Sequence, residues 1–322
     1  MTQPAARSKN TRVLLRVLRF AAAMTAAFSL LTLLDEWHRL LELFCHFRLQ
    51  YLAAALLLAV ALLLLRDHKL AFAMLAIAAI NAALVVPWYT RTAVIAVDQA
   101  AALTILHANV YGQNKDYPRF LDLIAVEQPD IFFVQEFRVG LQNALQAVHA
   151  DYPYRELLAR DDNFGIAVYS RLPLDTVVTH ESPPYALPSL VVTARTAAGP
   201  LTLLSTHPVP PIGAEEYAGR NRQLQDIGTL INSLPAPLVL IGDLNVSMWS
   251  FHYELLAERT GLRDARTGFG ILPSWPVQLP FARIPIDHCL VSPGVEVLDI
   301  RIGPAIGSDH LPLIARLKVG AN

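Results

Sequence analysis

The chain has 322 residues, 54% of them hydrophobic and only 16% charged, with a formal net charge of −1. That is too apolar for an ordinary soluble protein. The charge is also unevenly divided: residues 1–100 carry ten Lys/Arg against five Asp/Glu, and the remainder sixteen against twenty-two. An acidic second part argues against tight, non-specific binding to duplex nucleic acid, which needs a basic face.

Three apolar runs come first: Val13–Leu34, interrupted early by Arg16 and Arg19, then the uncharged Leu49–Leu65 and Leu70–Trp88. Each is long enough to cross a bilayer, which takes about 20 residues and no fewer than about 17. The runs are apolar all round, with no polar face of the kind a soluble bundle keeps. Residues 1–90 therefore read as a membrane anchor of three transmembrane helices, joined by a linker at 91–100 to a second part at 101–322. Arg7, Lys9 and Arg12 ahead of an Ala-rich core also fit a cleaved signal peptide, but the two later runs hold the chain in the membrane either way. Trp37 and Trp88–Tyr89 sit at run ends, the headgroup level that amphipathic aromatics favour. The basic N-terminal flank and the Arg66–Lys69 link point to the cytoplasm. Three crossings then predict a multi-pass inner-membrane protein whose second part is periplasmic. Cys45 and Cys289 read as two buried free thiols.

After residue 100 the pattern changes. Strands are expected at Leu103–His107, Ile131–Gln135, Gly165–Ser170, Leu190–Arg195, Leu201–Thr206, Leu238–Ile241, Ile286–Val291, Val295–Ile302 and Leu313–Val319. Helical periodicity marks Tyr117–Glu127, Val139–His149, Glu215–Ser233 and Ser250–Arg259. Some strands are a hairpin apart and others are separated by a helix, which predicts a mixed α/β domain. Proline-rich loops are expected at Pro183–Pro188, Pro208–Pro211 and Pro273–Pro285.

Polar residues gather where these strands end: Asn109, Gln135-Glu136, Thr206-His207, Gly242-Asp243-Leu244-Asn245, Asp287-His288 and Ser308-Asp309-His310. Taken alone, a Gly-Asp after a strand is a common turn, and Asp309 could be only a cap. Taken together, they place carboxylates, amides and imidazoles on one rim of a sheet, where oxygen donors suit a hard divalent cation.

This ordered set, with Gly165–Arg171 (Gly-Ile-Ala-Val-Tyr-Ser-Arg), resembles the endonuclease/exonuclease/phosphatase superfamily over about residues 101–319. Thr260–Ala265 and Pro273–Pro276 also resemble segments of its bacterial members. The resemblance implies a four-layer sandwich of two packed mixed β-sheets flanked by helices. It also implies a magnesium-dependent phosphoric ester hydrolase using Mg2+, or Mn2+ in its place. By resemblance Glu136, Asn109 and Asp309 hold or adjoin the metal. Asp243 deprotonates the attacking water and Asn245 orients it or the phosphate, while His310, paired with Asp287, and His207 contact the phosphoryl oxygens. Tyr111 stands where nuclease members often carry an Asp, with the amides of Gln113 and Asn114 nearby.

The implied substrate is a phosphoester of nucleic acid, or alternatively a phospholipid, sphingomyelin or inositol phosphate; the other implied partner is the lipid bilayer. An idle membrane-tethered binding module is a competing reading, as is a transporter, against which the lack of charge at the centres of the runs counts. Arg220 and Arg222 are either part of a solvated helix face, or one of them braces a catalytic carboxylate or contacts a substrate phosphate.

Overall fold

A computed structural model describes residues 9–90 and 102–320, so the expected linker at 91–100 lies outside the described residues. The chain divides into two compact units, Met1–Pro87 and Trp88–Asn322.

The first unit is helical: α1 (Lys9–Leu31), a 3-10 stretch (Thr32–Trp37), α2 (Arg39–Cys45), α3 (Arg48–Leu64) and α4 (His68–Val85). Lys9–Trp37 and His68–Tyr89 are long and apolar enough to cross a membrane. A third candidate span is the pair α2 and α3, bent by 68°. The expected three spans are thus two straight candidates and one broken one, since α3 alone has 17 residues, roughly 26 Å of helix. Small residues (Ala22, Ala55, Ala59, Ala71 and Ala78) line the contact surface, which lets apolar helices approach closely. In the link between the first two runs, Glu42 and Arg48 are buried. Arg48 donates to the carbonyls of Ser29 and Thr32, both at 2.8 Å. It thereby satisfies acceptors left open where α1 ends.

The second unit holds two six-stranded sheets. One has the order β11-β12-β1-β2-β4-β3, built from β1 (Ala102–Asn109), β2 (Ile131–Gln135), β3 (Tyr154–Leu158), β4 (Ile166–Ser170), β11 (Val295–Ile302) and β12 (Leu313–Val319). The other has the order β5-β6-β7-β8-β10-β9, built from β5 (Leu174–Ser182), β6 (Leu187–Thr196), β7 (Gly199–Thr206), β8 (Leu238–Asp243), β9 (Arg263–Asp264) and β10 (Asp287–Val291). Each sheet has one parallel pair, β1 with β2 and β7 with β8. Helices α5 (Tyr117–Glu127) and α7 (Ala214–Ser233) provide the crossovers that parallel neighbours require. The remaining helices are α6 (Val139–Ala144) and α8 (Phe251–Thr260), whose N-cap Ser250 accepts from the His252 amide. Cys45 and Cys289 are both buried, and neither forms a disulfide. This is the expected α/β sandwich of two mixed sheets with flanking helices.

Side-chain alternation explains where the site falls. On β1, Leu103 and Ile105 face the core between the sheets, whereas Leu106 and Ala108 face the outer layer with Phe120 and Ile124 of α5. The inter-sheet core also takes Ile131 and Phe133 of β2, Val239 and Ile241 of β8, and Cys289 and Val291 of β10. Continuing the same two-residue step to the strand ends reaches His107, Asn109, Gln135, Asp243 and Asp287. The apolar layer between the sheets therefore closes, at one end, in a polar cluster.

Candidate active site

Two carboxylates occupy neighbouring positions in that cluster, since Asp287 of β10 pairs in register with Asp243 of β8. Like charges directly opposite one another are unfavourable, and here imidazoles offset them. The Asp287 oxygens lie 2.8 Å from His107 Nε2 and 2.8 Å from His310 Nδ1. All three side chains are buried. Burial alone would raise the Asp287 carboxyl, but its two imidazole partners outweigh this and hold it well below the usual range. Burial likewise opposes a charged His310, yet the Asp287 and Asp243 carboxylates prevail and push its pKa up to about 10. His310 is thus a cation held in place by an anion.

The Asp243 side chain is divided in its duties. One oxygen accepts from the Asn245 amide at 2.9 Å. The other lies 3.2 Å from Asn109 Nδ2, 3.5 Å from His207 Nε2 and 3.6 Å from His310 Nε2. The two imidazole distances are too long for strong hydrogen bonds, so this oxygen keeps lone pairs free to accept a proton.

Glu136 follows β2 with a positive φ of 58°, a sparsely populated backbone state that places its carboxylate inward. Its oxygens receive the Gly112 amide at 2.7 Å and Asn109 Nδ2 at 3.2 Å. Glu136 is buried. Among the described residues its hydrogen-bond donors are neutral, and the oxygens of such a buried carboxylate fit a hard divalent cation. Asp243, Asp287 and His310 also converge within 4.8 Å as a potential metal-holding group. Because both Asp287 oxygens already engage imidazoles, the available oxygens are those of Glu136, Asp243 and half-buried Asp309.

The loop carrying Asp309 is docked on β1. Ser308 Oγ donates to the Asn109 carbonyl at 2.7 Å and accepts from the His310 amide at 3.0 Å. Asp309 Oδ2 receives the Trp275 indole N–H at 3.1 Å. The Asn245 side-chain amide donates to the Pro208 carbonyl at 3.0 Å, tying the Asp243 loop to the His207 loop.

Three residues contribute more than their sequence context suggests. His107 is the second imidazole on Asp287, and its position inside an apolar strand hides that role. Gln135 joins the sheets: its Nε2 donates to the Thr206 carbonyl at 2.7 Å, and its Oε1 accepts the Asp243 amide at 2.9 Å. A side chain at Gly242 would put a Cβ 2.2 Å from that same Thr206 oxygen, which explains glycine there. Arg220 is fully buried, so the solvated-face reading of it is wrong. It donates to the Asn245 carbonyl and the Asn221 side chain, both at 2.7 Å. Tyr111 donates its amide to Asn109 Oδ1 at 3.1 Å, and Asn114 spans the Ile306 carbonyl and the Asp116 amide.

Residues 106–310 match the endonuclease/exonuclease/phosphatase family. The chain belongs to that family. Solved structures similar to this member include a D. rerio TDP2 humanized by 14 mutations (17% identity, TM-score 0.57, covering 68% of this chain and 100% of that one). Sphingomyelinase C from Streptomyces griseocarneus gives 18% identity and a TM-score of 0.52, over 67% of this chain and 99% of its own. The human Nocturnin catalytic domain with bound sulfate gives 19% and 0.54, over 69% and 96%. No curated protein matches the chain. These likenesses are of fold; the chemistry of this member rests on the side chains described above.

Proposed function

We propose that this family member is a membrane-anchored, divalent-metal-dependent phosphoester hydrolase. The observation that carries the reading is the convergence of buried Asp243, its neighbours His207 and His310, and the buried carboxylate of Glu136 at the seam of two sheets. In hydrolysis, the oxygen of a water attacks phosphorus in line while the ester oxygen departs. Asp243 accepts the proton of that water, and its hydrogen bond from the Asn245 amide keeps it aimed. Charged His310, fixed by Asp287, donates to a phosphoryl oxygen, and His207 offers a second N–H to the same group. A Mg2+ or Mn2+ ion held by Glu136, Asn109 and Asp309 would neutralise charge on the phosphate and the leaving oxygen.

The apolar helices support anchoring in a bilayer. Positive flanks support an inner-membrane topology with residues 101–322 as a periplasmic catalytic domain; a reporter fused to the C-terminus should be active outside the cytoplasm and silent within it. Likeness in fold to a sphingomyelinase and to a TDP2 keeps lipid and nucleic-acid phosphodiesters both in view.

The test is hydrolysis of a panel of phosphoesters (DNA, RNA, sphingomyelin, inositol phosphates and a chromogenic diester) by the full chain, with magnesium and with chelator. Activity that needs the ion, and that falls roughly 10²–10⁴-fold in Asp243→Asn and His310→Ala folded variants, supports the reading. Near-parental turnover in either variant overturns the assigned roles.

A further inference from the structure

Two loops flank the site. Residues 207–213, between β7 and α7, read His-Pro-Val-Pro-Pro-Ile-Gly. Residues 275–282, between β9 and β10, read Trp-Pro-Val-Gln-Leu-Pro-Phe-Ala. The first starts at His207 itself. The second is fastened to the site by the Trp275 indole on Asp309 and by the Val277 amide, which donates to the Asp309 carbonyl at 2.9 Å. Apart from His207, neither stretch contains an ionisable side chain. Their tips are apolar and in the open: Ile212 is 82% exposed, Phe281 78% and Leu279 48%.

Proline stands at 208, 210 and 211 in one loop and at 276 and 280 in the other. Each proline fixes its own φ and restricts the residue before it, so the loops have little freedom to fold their tips inward. Arg283, which follows the second loop, turns its guanidinium onto that loop, donating to the Val277 carbonyl at 2.7 Å and the Pro276 carbonyl at 3.3 Å.

Isolated exposed apolar side chains are ordinary on a protein surface. Two proline-rich loops without Lys, Arg, Asp or Glu, each fastened to a polar site and each ending in large apolar tips, are not, and such patches mark contact with lipid or protein. A nucleic-acid strand at this rim would call for cations to meet its phosphates, and the loops offer none. The same chain carries helices long and apolar enough to cross a bilayer, which favours a lipid as the occupant.

We propose that the substrate is an amphiphilic phosphoester drawn from a bilayer. Its hydrocarbon chains rest against Ile212 and Phe281, and its phosphate reaches His207, Asp243 and His310. This deepens the phosphoesterase reading and rests on it.

The experiment uses the full chain reconstituted in phosphatidylcholine vesicles with Mg2+, and two chromogenic diesters sharing one scissile bond, methyl and hexadecyl p-nitrophenyl phosphate. The expected result is a kcat/KM strongly favouring the vesicle-borne hexadecyl ester. In the Ile212→Ser/Phe281→Ser double variant that preference should fall about tenfold or more, with methyl-ester turnover unchanged. A parent without the preference, or a double variant that retains it, overturns the lipid proposal while leaving hydrolysis intact. So does a double variant that instead changes oligomeric state or oligonucleotide cleavage, which would assign the loops to a protein or nucleic-acid partner. If neither ester is cleaved with Mg2+ or Mn2+, the phosphoesterase reading itself fails, and this proposal with it.

Discussion

His107 and His310 grip the Asp287 carboxylate from opposite oxygens, each at 2.8 Å, although His107 and Asp287 are 180 residues apart and on different sheets. The pairing ties β1 to β10 through a single anion. In His107→Ala one oxygen of a fully buried carboxylate loses its donor, which costs about 1–3 kcal/mol, or more because the group is charged. His310 also loses the fixed orientation of its own partner. The expected outcome is a lower unfolding midpoint together with reduced kcat and little change in KM, read by denaturant titration and steady-state kinetics on the same preparation.

Gln135→Ala tests the other cross-sheet link. It removes both the donor to the Thr206 carbonyl and the acceptor of the Asp243 amide, two buried main-chain groups. A loss of about 2–4 kcal/mol is expected from the two unmet partners. Turnover should fall too, because the main chain that carries Asp243 is no longer held. Thermal unfolding and kcat, measured in parallel, check this; an unchanged midpoint would show that the link carries no stability.

Removal of the Glu136 charge is the direct probe of the cation. In Glu136→Gln the Gly112 and Asn109 contacts can persist in part, while the oxygen donor set loses its principal anion. Turnover should drop by roughly 10²-fold or more at a magnesium concentration saturating for the parent. A magnesium titration of the rate, backed by calorimetry of ion binding, should show a much weaker response. Equal magnesium dependence in parent and variant would place the ion elsewhere.

Acid stability follows from Asp264, which is buried beside Arg266 and His288. Burial would raise its pKa, but the guanidinium and the imidazole overcome that and hold the carboxyl well below its ordinary range. A depressed folded-state pKa contributes stability that is present above the unfolded value of about 3.9 and is lost as pH falls below it. Asp264→Asn should therefore be less stable than the parent at neutral pH, by about 3–5 kcal/mol for a broken buried pair. The gap should narrow as pH falls through and below 3.9. Denaturation midpoints of both proteins at pH 7 and pH 3 decide it.

How much of this was legible beforehand depends on what each residue signals locally. Strands with a continuous apolar run, such as Leu238–Asp243 and Ile131–Gln135, announce themselves because every position is buried. The strands Tyr154–Leu158 and Leu174–Ser182 do not. Both are edge strands with much of their length exposed, and their polar residues read as loop. The strand-end carboxylates and imidazoles were visible because polar groups interrupt apolar runs there. His107 was not, since one imidazole inside a strand says nothing about an aspartate 180 positions later. Arg220 was ambiguous for a similar reason: its partner is a main-chain carbonyl, and no sequence pattern marks a carbonyl. In the first unit, the burial of Glu42 and Arg48 could not be read from the sequence either. Arg48 donates to the main-chain carbonyls of Ser29 and Thr32, partners of a kind no sequence pattern marks.

The last strand of the chain, β12, lies between β11 and β1, and so beside the first strand of its sheet. A polypeptide still being synthesised therefore has neither the neighbour that completes β1 nor the imidazole at 310, however well its earlier residues have folded. On the proposed reading, a copy that stops short of residue 310 is therefore expected to be inert, because it lacks the imidazole that bonds Asp287 and would meet the phosphate.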